Sequence, residues 1–173
     1  MNILPLFKSI TTFVFDIDGV LTDGTIFVFD TGEQDRRMYI KDGYALQLAV
    51  KMGYRIIAIS GADSEAARLR LNKLGVADVF TKVGNKKEKL GDYIREHKLK
   101  WKEILFMGDD MPDHDVMQYV GLSCAPLDAV PEIKHIAKYI SPKKGGHGCV
   151  RDVIEKVLKL NNHWHADVSV ASK

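Results

Sequence analysis

Short apolar, β-branched runs alternate along this chain with stretches whose apolar residues recur at helical spacing. The runs cover 12–15, 54–59, 76–80, 104–107, 122–125 and 138–140, and such alternation is the signature of a largely parallel sheet covered by helices. After the second run, Asp63 can cap a helix whose Leu69, Leu71 and Leu74 give a mostly one-sided apolar face, with Gly75 to stop it. Further helices are expected over 86–97, where Leu90 and Ile94 stand four apart, over 113–120 ahead of Gly121, and over 150–160. The pattern predicts an α/β fold, doubly wound around a mostly parallel sheet, in one domain spanning 1–160.

One segment breaks the rhythm. Two β-type runs, 25–29 and 36–40, are joined by Asp30-Thr31-Gly32-Glu33, with a glycine where a hairpin needs positive φ. The expected hairpin, 25–40, lies just past the first strand, where α/β folds open their ligand crevice. The tail, 161–173, is polar and irregular and is expected to be mobile unless a neighbour holds it.

Composition narrows the class. Of 173 residues, 46% are hydrophobic and 28% charged, and a chain of this size buries roughly 70% of its unfolded surface, so disulfides and structural metals are dispensable. The net charge is only +2, with no run of five like charges, which argues against nucleic acid as a partner. Cys124 and Cys149 stand outside any CxxC or Cys/His cluster and are expected to be reduced core thiols. No stretch is apolar enough to span a membrane, and no apolar leader is visible near Lys8, so a cytoplasmic protein is expected.

The chemistry concentrates after the strands. The strand ending Phe13-Val14-Phe15 runs into Asp16-Ile17-Asp18-Gly19, two carboxylates two residues apart followed by a glycine that lets the chain turn. A lone Asp there would be a turn residue or cap, but Gly108-Asp109-Asp110-Met111-Pro112-Asp113 follows another apolar run and brings a second acidic cluster to the same sheet edge. Carboxylates converging on one point repel unless a cation joins them, and an all-oxygen site suits Mg²⁺. Ser60 and Gly61, at a strand-to-helix junction, offer a hydroxyl and an amide to an anion. Lys86, at the start of a helix, can offset the charge of a phosphate held among carboxylates.

In chain order these residues resemble the haloacid dehalogenase superfamily of phosphohydrolases, whose four motifs are matched by Asp16-x-Asp18, Ser60, Lys86 and Gly108-Asp109-Asp110. The resemblance extends over about 13–151 and implies a Rossmann-like core with Asp16 as nucleophile and Asp18 as general acid and base. It implies Mg²⁺ held by the Asp16 carboxylate, the Asp18 backbone carbonyl and Asp109. Ser60, Gly61 and Lys86 would hold the phosphate, with Asp110 and Asp113 orienting Lys86 and the metal's waters. Only 41 residues, 19–59, separate Asp18 from Ser60, and a hairpin, a helix and a strand account for them, which leaves no room for a cap domain.

Within the superfamily, Asp16 to Gly24, Lys41-Asp42-Gly43-Tyr44 and Gly145-Gly146-His147-Gly148-Cys149-Val150-Arg151 look like the 3-deoxy-D-manno-octulosonate 8-phosphate phosphatases. That group implies a sugar acid phosphate as substrate, a place in lipopolysaccharide precursor synthesis, and a homotetramer. In it, hairpins form a barrel and Arg70 and Lys73 reach a neighbour's site. Ala62 stands where phosphatases of nine-carbon keto-deoxy acids carry an acidic residue, which favours the eight-carbon acid, although Arg is frequent there in the octulosonate group. The Lys143-Lys144-Gly145-Gly146 segment has amides and cations able to meet a carboxylate or phosphate. Alternatives are a nine-carbon or broad sugar-phosphate phosphatase, a receiver module, and an inactive scaffold. The motif order and the presence of Asp18 speak against the receiver, and the complete set of polar residues against the scaffold.

Overall fold

The computed structural model describes residues 2–170. In chain order the elements are α1 (Leu4–Lys8), β1 (Thr12–Asp16), the hairpin strands β2 (Phe27–Val28) and β3 (Gln34–Asp35), α2 (Ile40–Lys51), β4 (Arg55–Ile59), α3 (Glu65–Lys73), β5 (Asp78–Phe80), α4 (Lys86–Glu96), β6 (Ile104–Met107), α5 (His114–Met117), β7 (Leu122–Ala125), α6 (Pro131–Ile136), β8 (Tyr139–Ile140) and α7 (Cys149–Leu160). Six strands pair in parallel in the order β5-β4-β1-β6-β7-β8. The chain winds outward from β1 to β4 and β5, then returns to β6 on the other side of β1. The carboxyl end of β1 therefore lies at the reversal of strand order, where doubly wound folds open their crevice.

The sheet is buried on both faces at its centre, where β1 carries Phe13, Val14 and Phe15 between Thr12 and Asp16. Phe13 and Phe15 pack toward α2 and α7 with Leu46, Ala49, Val153 and Val157, whereas Val14 points the other way, toward Leu90, Ile94, Val116 and Ile133. That alternation gives two cores from one strand. No cap domain stands between β1 and β4, only the hairpin and α2.

Several elements differ in detail from the sequence expectation. The second hairpin strand is Gln34–Asp35, pairing Phe27 with Asp35 and Val28 with Gln34, and not 36–40. Beyond it Arg36 and Arg37 turn to carboxylates at Asp18 and Asp23, Met38 makes a single bridge to Thr22, and Ile40 already begins α2. The cap of α3 is Ser64, whose Oγ accepts the Ala67 N–H at 3.3 Å, while Asp63 pairs with Lys82 at 2.8 Å. Leu69 is exposed, and the buried face of this helix is Ala67 and Leu71, continued by Leu74. The expected helix over 113–120 is a short 3₁₀ turn, Met111–Asp113, followed by α5. Helices α1 and α6 had no predicted counterpart.

The tail finds partners within its own chain. His163 meets the Tyr54 hydroxyl at 2.9 Å, the Trp164 ring packs edge-on against Tyr44, and Asp167 pairs with Lys51 at 2.5 Å. Residues 171–173 of the expected mobile tail lie outside the described ones.

Candidate active site

Parallel pairing sets the site. Asp16 is in register with Ile59, the last residue of β4, and Phe15 with Met107, the last of β6, so Asp16, Ser60 and Asp109 leave the sheet at one edge. A cavity of about 300 Å³ there is lined by Asp16, Asp18, Ser60, Gly61, Ala62, Lys86, Asp109, Asp110 and Asp113, with Gly24 and Pro112. Every residue expected to carry the motif chemistry thus meets in one place. Two glycines allow the approach. At Gly19, with φ of 90°, a Cβ would fall 2.0 Å from Asp109 Oδ2, and at Gly108 one would fall 2.4 Å from Asp113 Cβ.

Lys86 sits at the start of α4, behind the Asn85 cap that accepts the Glu88 N–H at 3.1 Å. Its Nζ donates to Asp16 Oδ1 and to Asp113 Oδ1, both at 2.6 Å, and all three side chains are buried. Asp113 Oδ2 also accepts the Asp109 N–H at 3.1 Å, which ties the acidic loop to the lysine. Asp110 also lines the cavity but its Oδ1 accepts the Met111 N–H at 2.8 Å, and of the two it is Asp113 that bonds to Lys86.

The carboxyls are crowded. Burial, and then the neighbouring Asp113 charge, push Asp16 well above the usual carboxylate range, and the same two causes raise Asp109 to about 7. Burial likewise raises Asp113. Burial works against the Lys86 charge, but Asp16 and Asp113 together outweigh it and raise its pKa. One lysine cannot neutralise two buried carboxyls and a half-buried third. Oxygens of Asp16, Asp109 and Asp113 lie within 4.8 Å of one another, and Asp109 Oδ1 is buried with no hydrogen-bond partner. An all-oxygen donor set with an orphaned acceptor and excess negative charge fits a hard divalent cation such as Mg²⁺.

Asp18 faces the other way. Its Oδ2 is 3.4 Å from Ser60 Oγ, which itself accepts the Ala62 N–H at 3.0 Å, and its Oδ1 accepts from Arg36 Nε at 2.5 Å. Arg36 was missed from the sequence. It sits in the hairpin's return segment, beyond any strand-end motif, and an arginine beside Arg37 reads as surface charge.

Other expectations fall outside the cavity. Arg70 is half-buried and Lys73 exposed on α3, and neither lines it. The amides of the glycine-rich segment are engaged internally, Gly145 N–H with Asp128 Oδ1 and Gly146 N–H with the Val20 carbonyl, both at 2.9 Å, and so do not face a ligand. Cys124 and Cys149 are both free and buried, as expected.

The family model for haloacid dehalogenase-like hydrolases matches residues 59–154. The 3-deoxy-D-manno-octulosonate 8-phosphate phosphatase of Salmonella typhi is 29% identical over 157 residues, covering 91% of this chain and 84% of that protein. Among solved structures, the corresponding phosphatase of Yersinia pestis superposes with a TM-score of 0.90 at 27% identity, covering 93% of this chain and 87% of that one. The Moraxella catarrhalis phosphatase, solved with a magnesium ion, a phosphate ion and a KDO molecule, gives 0.90 at 28% identity, covering 93% of both chains. With β1 ending in Asp16 at the switch point, acidic donors suited to Mg²⁺ and this match over more than half its length, the chain belongs to the haloacid dehalogenase-like hydrolases.

Proposed function

We propose that the chain is a Mg²⁺-dependent phosphatase releasing 3-deoxy-D-manno-octulosonate from its 8-phosphate. The observation that carries the reading is the meeting of Asp16, Asp18, Ser60, Lys86 and Asp109 on one small cavity. An Asp16 oxygen attacks phosphorus to form an aspartyl-phosphate while the ester P–O bond breaks and a proton passes from Asp18 to the leaving oxygen. Water then attacks the phosphoryl group and gives its proton to Asp18. The Asp16–phosphorus bond breaks, and inorganic phosphate leaves. Ser60, the Gly61 amide and Lys86 hold the non-bridging oxygens, where transition-state charge is spread. When bound through Asp16, the Asp18 carbonyl and Asp109, Mg²⁺ neutralises the nucleophile against an anionic ester.

The sugar acid is supported by the octulosonate phosphatases among the relatives and by Ala62 on the cavity wall, which offers no acidic contact to a longer acid. The chain is proposed to act as one domain, 1–160, in the cytoplasm, where its two buried thiols stay reduced. We place it in a homotetramer in which Arg70 and Lys73 meet a neighbour's substrate. The exposed apolar residues of the hairpin, Phe27 at 55% and Val28 at 65%, support a covering subunit. Among the described residues no helix is long and apolar enough to cross a membrane.

The test is phosphate release from the octulosonate 8-phosphate, a nine-carbon keto-deoxy acid 9-phosphate and ordinary sugar phosphates, with Mg²⁺ and with EDTA. The expected result is a Mg²⁺-dependent kcat/KM about 100-fold higher for the octulosonate ester, near 2.7 kcal/mol of transition-state discrimination. Flat, low rates would discard the substrate, and no turnover of any ester would discard the phosphatase.

A further inference from the structure

A second cation besides Lys86 reaches a carboxylate of the cavity wall from outside the lining. Arg36 follows β3, and the hairpin folds back over the carboxyl end of β1 so that its Nε reaches Asp18 Oδ1 at 2.5 Å. The guanidinium is not a solvated charge. Its side chain is 7% exposed, less than the 32% of Asp18, and the adjacent Arg37 is the one that stands in solvent, paired with Asp23 at 69% exposure. A buried arginine is retained where its charge is matched and its geometry fixed.

The two cations divide the carboxylates between them. Lys86 takes Asp16 and Asp113, and Arg36 takes Asp18. Because Arg36 occupies Oδ1, only Oδ2 of Asp18 remains toward Ser60 and the phosphate cavity. The two carboxyl oxygens are thereby made unequal, one fixed by the hairpin and the other turned to the reacting group.

We infer that Arg36 is a positioning residue for the proton transfers of Asp18. It fixes the carboxyl so that Oδ2 carries the proton to the leaving oxygen as the ester P–O bond breaks, and Oδ2 receives one from water in the second step. The inference rests on the phosphatase reading above. It makes the hairpin a working part of the active site, since the same segment that extends the apolar surface also orients the acid. Proton delivery matters only for a poor leaving group. An alkoxide must be protonated as it departs, whereas p-nitrophenolate leaves unaided, and positioned general acids typically contribute about 10²–10⁴-fold.

The experiment compares kcat/KM for p-nitrophenyl phosphate and for an alkyl phosphate without a carboxylate, in wild type, Arg36→Met and Arg36→Lys, with thermal melting to confirm folding. The expected result is that Arg36→Met lowers the alkyl-to-aryl ratio of kcat/KM by about 30-fold or more, and that Arg36→Lys recovers much of it. An unchanged ratio, whether both activities fall together or neither falls, would overturn the role. The alkyl ester has no carboxylate, so a contact to the sugar acid cannot produce the shift. If Arg36→Met does not fold, Arg36→Gln takes its place: its alkyl-to-aryl ratio should fall by a similar factor, and an unaltered ratio there would overturn the role. Failure of wild type to hydrolyse these esters and the octulosonate 8-phosphate alike would instead sink the phosphatase reading.

Discussion

Asp42 lies in the first turn of α2, where its Oδ1 accepts the Arg151 N–H at 2.9 Å and so caps α7 from another helix. Its Oδ2 is buried without a hydrogen-bond partner. Burial raises this carboxyl to about 7, against the Arg151 amide and the positive neighbours Arg151 and His147 that favour its charge. A folded-state value above the unfolded one means that the native protein binds the proton more tightly. The stability this gives is complete below about pH 4 and lost as pH rises through about 7, with a ceiling on the order of 4 kcal/mol. Asp42→Asn keeps the Oδ1 acceptor and removes the titration. Its melting temperature relative to wild type should therefore climb between pH 4 and pH 8, and a difference that stays flat would show that Asp42 ionises normally in the fold.

Helix α3 separates two neighbouring cap candidates. Ser64 accepts the Ala67 N–H at 3.3 Å, so Ser64→Ala should destabilise by about 1 kcal/mol in urea unfolding. Asp63 is exposed and paired with an equally exposed Lys82, and Asp63→Ala should cost less; the reverse order would restore the sequence expectation. The difference shows where sequence stops being informative. Asp and Ser are equally good caps, and only the backbone, with Ser64 at φ of −151°, decides which is the last non-helical residue. Leu69 misled for a similar reason, since an apolar residue off the buried face of a helix looks the same in sequence as one on it. Strands β6 and β7 begin and end where their apolar runs do, because both are buried on both faces and their end residues, Ile104, Met107, Leu122 and Ala125, are apolar. The positions of Asp16, Ser60, Lys86 and Asp109 were legible because a parallel sheet delivers every strand's carboxyl end to one edge. Arg36 was not, because it arrives through a hairpin of two residues per strand whose register no periodicity reveals.

At the scale of the whole molecule, the hairpin is anchored at its base and unsupported at its tip. The base is held by Arg36 on Asp18, Arg37 on Asp23 and the Thr22–Met38 bridge. Beyond it only two residues pair on each side, and Ile26, Phe27, Val28 and Phe29 are 45% to 65% exposed. An isolated two-stranded ribbon is marginal in water, and a contiguous apolar patch on such a ribbon marks a surface that another molecule covers. The proposed tetramer supplies the cover, and burying one valine contributes roughly 1.5–3 kcal/mol per copy. Val28→Glu should reverse that contribution and move the protein from tetramer to monomer in sedimentation, at unchanged far-ultraviolet dichroism. Because Arg70 and Lys73 are proposed to serve a neighbour's site, the monomer should lose kcat/KM for the keto-acid ester far more than for p-nitrophenyl phosphate, whose hydrolysis draws on the cavity of one chain. A wild type that sediments as a monomer would remove the tetramer. A monomeric variant with undiminished preference for the keto acid would leave the oligomer standing and remove its part in selectivity, placing recognition of the acid within the single chain.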